Sequence, residues 1–417
     1  MPWSERQAEE YLLALELFGM RFGLERMHRL MTVLGMPQHR FAQIHVVGSN
    51  GKSSTVRFAA AILARHGLGT GSYTSPHLAR FRERIEVGEQ PVAPERFAAA
   101  VERAAGAAEL VERAASEGDD PVTQFEALTA AAFHELAARG VEVAVIEAGL
   151  GGRYDATNVI PSKVQVLTGV GLEHTRWLGP TIADIAAEKL AVVRDHATLV
   201  VPPDLHPDAR AVADEVAAER HATLVEAPAD LGLTLRAPGS FQRRNFALAA
   251  AAAEAFLERS LDRAAVESAA GETRVAGRLD VVGERPLTIY DGAHNPAGAG
   301  ALAAALPELV GDRSPVVLVV SVLEDKDVAE MLTRLVPLAD RIVLTRCSNP
   351  RALSPGTLAS QAANLDGPSP ETVPDPHAAL DRARVLAGPE GAVLATGSIY
   401  LIGDLVRDAT DVRASTL

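Results

Sequence analysis

Short, strongly apolar runs punctuate this chain. Gln43–Val47, Val141–Ile146, Val164–Val170, Thr198–Val201, Thr288–Tyr290, Val316–Val322, Arg341–Thr345 and Val393–Thr396 predict buried strands. Between them lie Ala-rich stretches, among them 98–116, 247–257 and 299–309. These carry Glu, Arg or Leu at helical spacing and predict plain helices rather than low-complexity tracts. Strands alternating with helices predict the α/β class, with parallel-rich sheets whose ligands gather at the carboxyl ends of strands. A Gly- and charge-rich passage, Gly271 to Arg285, separates two strand-helix series, so domains 1–275 and 276–417 are expected.

Composition narrows the function classes. At 417 residues, 47% hydrophobic and 23% charged, the chain is globular and long enough for two domains. The single cysteine, Cys347, excludes an internal disulfide framework, and Met1 to Arg21 lacks a signal-peptide layout, so a cytoplasmic protein is expected. No uncharged run reaches the roughly eighteen residues of a membrane helix, so no membrane span is expected. A formal net charge of −14 disfavours broad nucleic-acid binding, which needs a basic footprint. Small anionic substrates in a locally basic pocket remain open.

Candidate chemistry collects where strands end. Gln43–Val47 leads into Gly48-Ser49-Asn50-Gly51-Lys52-Ser53-Ser54-Thr55 and then a helix to about Arg65, the context of a phosphate loop. Glycines let backbone N–H groups converge on phosphate, the helix start adds positive potential, Lys52 reaches the terminal phosphates and a hydroxyl can face magnesium. Position 46 is Val where the full Walker pattern has its first glycine; a strand-to-helix turn with an exposed lysine is the simpler alternative.

The strand at Val141–Ile146 runs into Glu147 and a glycine-rich turn to Asn158, where a carboxylate can bind a hard cation or cap a turn. Val164–Val170 leads to Glu173-His174, and Thr288–Tyr290 to Asp291-Gly292-Ala293-His294-Asn295-Pro296. In the predicted helix Thr181–Val192, Glu188 and Lys189 read either as an exposed ion pair or as a lysine of depressed pKa. Arg80, Arg82 and Arg84 read either as a solvated basic stretch or as attractors of an anionic substrate tail.

Taken in order, these motifs resemble the folylpolyglutamate synthase and dihydrofolate synthase branch of the Mur ligase superfamily. The resemblance rests on Phe22–Met27, Gly48–Thr55, Thr74–Leu78, Thr123–Glu126, Glu147–Asn158, Glu173-His174-Thr175, Leu178-Gly179, Glu188-Lys189, Gly277-Arg278, Asp291–Pro296, Asp325-Lys326-Asp327 and Thr396-Gly397-Ser398. It implies an N-terminal P-loop ATPase domain, a smaller C-terminal Rossmann-like domain and a site in the cleft between them. Gly48, Asn50, Gly51, Lys52, Ser53, Ser54, Asn245, Arg278 and Asp291 would bind ATP. Ser75, Glu147, His174 and a carbamylated Lys189 would serve magnesium, with potassium a further candidate ion. Arg21, Phe22, Gly23, Thr123, Phe125, Tyr154 and Asp155 would surround the pterin-bearing substrate. Lys52, Lys189 and His294 are the expected catalytic groups.

The chain departs from the family pattern at Arg21, where Asp is common, and at Phe22 for Leu, Glu173 for Asp and Leu190-Ala191 for Ala-Gly. The reaction implied is ATP-dependent ligation of L-glutamate to a folate or dihydropteroate carboxylate through an acyl phosphate, by a monomer. Other readings are a cell-wall Mur ligase, a P-loop switch and a nicotinamide-dependent oxidoreductase. Only 47 residues precede Gly48, too few for the uridine-nucleotide domain of the first. A switch would hydrolyse ATP without an amino acid. The third lacks a G-x-G-x-x-G after the relevant strands and leaves Lys52 unexplained.

Overall fold

The computed structural model describes residues 2–15, 23–116 and 120–407. Its first sheet contains β1 (Ala42–Val47), β2 (Thr70–Tyr73), β3 (Ile85–Val87), β4 (Gln90–Pro91), β5 (Val143–Glu147), β6 (Val164–Leu167), β7 (Thr198–Val201) and β8 (Thr223–Glu226). The second contains β9 (Asp280–Glu284), β10 (Leu287–Tyr290), β11 (Val316–Val320), β12 (Arg341–Leu344), β13 (Glu371–Thr372) and β14 (Ala392–Thr396). The α/β expectation therefore holds. The eight predicted runs are β1, β5, β6, β7, β10, β11, β12 and β14, with ends displaced by a few residues.

Strand order in the first sheet is β4-β3-β2-β5-β1-β6-β7-β8, and in the second β13-β12-β11-β14-β10-β9. Both are parallel inside and antiparallel at one edge, where β2–β3, β3–β4 and β9–β10 pair in opposite directions. From β1 the chain first crosses to β2, returns to β5 and only then passes to β6 on the other side. Such a reversal opens a crevice beyond the strand ends. Register brings those ends together, with Val46 opposite Glu147 and Val47 opposite Leu167.

Each sheet is buried by its own helices. Helix Lys52–Arg65 packs on helix Ser240–Leu257, where Phe58 and Phe246 meet edge to face at 5.2 Å between ring centroids. Truncating either ring should cost about 3–5 kcal/mol. In the second sheet Ile289, Leu318, Val320, Leu344 and Leu394 form a separate core with helix Pro296–Val310. The passage 271–285 is not plain linker: it holds the end of helix Arg263–Glu272 and the edge strand β9.

Candidate active site

The loop after β1 is shaped by glycine. Gly48 and Gly51 have φ of 144° and 88°, and a Cβ on them would lie 2.0 Å from Thr168 Oγ1 and 2.4 Å from Asn245 Oδ1. Side chains are excluded at both places, so the loop backbone can lie directly against the Thr168 and Asn245 side chains. Thr168 Oγ1 donates to Asn50 O at 2.6 Å and Ser49 N to Gly169 O at 2.9 Å, tying the loop to the end of β6. Buried Asn245, whose Nδ2 donates to Gln242 Oε1 at 3.1 Å, supports it from helix Ser240–Leu257. Lys52 Nζ donates to Gly48 O at 3.0 Å and Ser49 O at 3.2 Å, within its own loop.

Glu147 ends β5 beside that loop and is 2% exposed. It accepts from Ser53 Oγ at 3.0 Å and from Ser75 N at 3.1 Å. Burial pushes its carboxyl upward, opposed by Lys52, the two hydrogen bonds and Arg278. Hydroxyls and a carboxylate are hard oxygen donors suited to magnesium, which takes few protein ligands and completes its shell with phosphate and water. Among the described residues no three His, Cys, Asp or Glu side chains come together as a metal site. His174 stands exposed at the start of helix Thr175–Leu178, with φ of 47°.

Lys189, 2% exposed, donates to Glu173 Oε1 at 2.9 Å and Gly48 O at 3.0 Å. Its neighbour Glu188 instead pairs with Arg153 at 2.7 Å, so the two do not form the exposed pair that sequence allows. Burial pulls the Lys189 amine down, against the pull of Glu173. Burial alone would raise Glu173, but Lys189 and Lys52 outweigh it and hold the carboxyl at about 2.

The second sheet contributes the turn after β10. Asp291 accepts from Leu279 N and Ala293 N, each at 2.8 Å; burial raises its carboxyl, opposed by Arg278. His294 Nδ1 donates to Gly292 O at 2.9 Å, and burial lowers the imidazole to about 4, leaving it neutral with a bare Nε2. Arg278, Ser53, Thr74, His77 and Ile399 line a cavity of ≈ 50 Å³ where the two sheets' elements meet. The Thr74–Leu78 loop also reaches the second unit, and Leu78 packs on Gly277.

The remaining expected substrate residues divide. Thr123 caps helix Gln124–Ala138 and exchanges hydrogen bonds with Glu126; Phe125 lies against Gly149. Asp155 spends its carboxylate on Gly149 N, Leu150 N and Thr157, organising the loop after β5. Tyr154 is exposed, and Gly23 sits at φ 113° before helix Glu25–Val33. Arg21 and Phe22 lie outside the described residues. Arg80 and Arg82 pair with Glu5 at 3.3 and 3.1 Å, whereas Arg84 is fully buried with Nε donating to His77 Nδ1 at 3.0 Å.

Sequence reasoning named Glu173 only as part of a polar pair at a strand end and gave Thr168 and Asn295 no role in the site. All three lie within quoted stretches, but only their contacts reveal what they do. A larger groove of ≈ 760 Å³ lies at the amino ends of β6 and β7, lined by His28, Lys163, Arg194 and His196 among others. No glycine loop converges there, so the chemistry is placed at the opposite edge.

Known proteins resemble this chain along most of its length. Residues 277–399 match the Mur ligase, glutamate ligase domain. A probable bifunctional folylpolyglutamate synthase/dihydropteroate synthase of Haloferax volcanii is 34% identical over 95% of this chain, which spans half of that protein's length. The dihydrofolate synthase/folylpolyglutamate synthase of Mycobacterium tuberculosis is 35% identical over 83% of this chain and 78% of its own. The M. tuberculosis folylpolyglutamate synthase complexed with ADP superimposes with a TM-score of 0.89 at 32% identity, covering 97% of this chain and 98% of that one. A bifunctional synthase with Mn, AMPPNP and L-glutamate bound gives 0.81 at 29% identity over 97% of each. The chain therefore belongs to the folylpolyglutamate synthase and dihydrofolate synthase family of Mur ligases, the ATP-dependent enzymes that ligate glutamate.

Proposed function

We propose that residues 1–275 and 276–417 act as two lobes that close on ATP, phosphorylate the carboxylate of a folate or dihydropteroate, and pass the acyl group to L-glutamate. The observation that carries this reading is the meeting of the Gly48–Ser54 loop and Glu147 with Arg278 and the Asp291–Asn295 turn of the second sheet.

In the first step an acceptor carboxylate oxygen attacks the γ-phosphorus, the bond to the ADP oxygen breaks, and an acyl phosphate forms. Lys52 leaves its loop carbonyls for phosphoryl oxygens, while the Gly48–Gly51 backbone and the helix start hold the phosphates. Asn245, Arg278 and Asp291 hold the rest of the nucleotide. Magnesium, held by Glu147 with Ser53 and Ser75, would neutralise phosphoryl charge. His174 and a carbamylated Lys189 are the remaining proposed metal contacts; burial of Lys189 favours the neutral amine that carbamylation needs.

In the second step the glutamate nitrogen attacks the acyl carbon, the carbon–oxygen bond to phosphate breaks, and the nitrogen loses its proton. The bare Nε2 of His294 suits it to accept that proton. Gly23, Thr123, Phe125 and Tyr154 flank the acceptor, with Asp155 setting the loop beneath it. We further propose a monomer working in the cytoplasm, a setting that the lone buried Cys347 suits.

ADP release, measured with each pterin acceptor crossed against glutamate and other amino acids, tests the reading. Release should require acceptor and glutamate together. Equal release without an amino acid would replace the ligase with a switch.

A further inference from the structure

The turn after β10 is rigid in itself. Asp291 Oδ1 accepts from Ala293 N at 2.8 Å, His294 Nδ1 donates to Gly292 O at 2.9 Å, and Asn295 Oδ1 accepts from Gly298 N at 2.7 Å as the cap of helix Pro296–Val310. That cap decides which way the Asn295 amide faces, because only its oxygen can accept from a backbone N–H. The amide nitrogen is thereby committed to the other side, where it donates to Asn50 Oδ1 of the glycine loop at 3.1 Å. Asn50 is held in turn, its carbonyl accepting from Thr168 Oγ1 at 2.6 Å. A chain of hydrogen bonds thus runs from β6 through the phosphate loop into the turn bearing Asp291 and His294.

We propose that Asn295 is a positioning residue whose cap-locked amide docks on Asn50 and sets the register in which the Asp291–His294 turn meets the nucleotide. The proposal rests on the reading that Gly48–Ser54 holds ATP phosphates and that the lobes close around them. Neither side chain is charged and the contact is solvent-accessible, so its worth lies in alignment. A single hydrogen bond of this kind supports a two- to tenfold effect on turnover, since misplacement of a reacting group is felt beyond the bond lost.

Asn295→Ser keeps a capping oxygen but cannot reach Asn50; Asn295→Asp keeps the cap and turns the donor into an anionic acceptor facing Asn50 Oδ1. Both should unfold at the wild-type temperature to within a degree or two. The kcat for glutamate-dependent ADP release should fall roughly two- to tenfold in Asn295→Ser and further in Asn295→Asp, with the KM for the pterin acceptor unchanged.

A cycle with Asn50→Ser separates alignment from a local effect. On that background Asn295→Ser should cost nothing more, in kcat or in ADP affinity. Losses that add across the two sites, or an Asn295→Asp variant as active as wild type, would overturn the proposal. Scoring the cycle on ADP affinity needs no turnover, so a wild-type protein without glutamate-dependent ADP release would sink the ligase reading while this one is still decided.

Discussion

Replacing Glu173 with glutamine tests the electrostatics under the phosphate loop. The Glu173 carboxylate is 15% exposed and lies 2.9 Å from the ammonium of Lys189, which is 2% exposed. Its carboxyl is held at about 2 against an ordinary value of 4.5. At about 1.4 kcal/mol per pH unit, the interactions that keep this carboxylate ionised, with Lys189 first and Lys52 and Ser49 behind it, contribute about 3 kcal/mol at neutral pH. Because the folded-state value is depressed, that contribution is complete above pH 4.5 and fades as pH falls toward 2. Glutamine fits the same space without the charge, so Glu173→Gln should lose about 3 kcal/mol in urea unfolding at pH 7. The deficit against wild type should shrink to about 2 kcal/mol by pH 3.5. Measuring the difference cancels every other carboxylate that titrates in this range. A deficit that stays constant from pH 7 to 3.5 would show that Glu173 is not held ionised by Lys189, and the argument would fail.

Four further outcomes are expected. Lys52→Ala should lower kcat by at least roughly 100-fold in the ADP-release assay, the scale of losing one charge-stabilising donor; wild-type turnover would remove it from phosphate. Glu147→Gln should raise the magnesium needed for half-maximal rate by about 10- to 100-fold, and an unchanged requirement would take it out of the metal site. Lys189→Ala should be inactive and partly restored by short carboxylic acids, whereas full activity without them would refute a carbamate. Gly48→Ala, whose Cβ would sit 2.0 Å from Thr168 Oγ1, should cost about 1–3 kcal/mol in thermal unfolding and weaken ADP binding; an unchanged ADP affinity would mean that the loop tolerates distortion.

Strands built from consecutive β-branched residues were legible because both faces of a central parallel strand are buried, so the chain advertises them as apolar runs. The Thr70–Tyr73 strand was not, although fully buried, because its sequence is Thr-Gly-Ser-Tyr. Gly71 is there for close approach, as a Cβ would fall 2.5 Å from Leu136 Cδ2, and Ser72 Oγ donates to Glu86 Oε2 at 3.2 Å. Its burial is a tertiary fact with no local pattern. Edge strand β9 hid for the opposite reason: Val281 and Val282 are 39% and 38% exposed inside a charged stretch that reads as linker. The site divides the same way. The glycine loop is local chemistry and could be read directly, whereas Asn50 and Asn295, 245 residues apart, meet only through the arrangement of two sheets.

The contacts of the two lysines assign them different work, which their shared charge does not. Lys52 donates its hydrogen bonds to neutral carbonyls of its own loop, at 3.0 and 3.2 Å, and exchanging such bonds for phosphate oxygens gains charge-assisted ones. Lys189 is tied to a carboxylate held at about 2, and pulling it away would strand a buried anion, a loss of about 3–5 kcal/mol. In the proposed reaction Lys52 is therefore the cation free to follow the γ-phosphate. Lys189 bridges Gly48 to Glu173 and fixes the floor on which that movement occurs. If Lys189 takes up carbon dioxide, its nitrogen, now 2.9 Å from Glu173 Oε1, would carry an anion in place of the cation, and a metal ion between the two or a proton on one of them would be needed to hold both. Carbamylation at this site should then be favoured by a divalent ion and opposed by its removal.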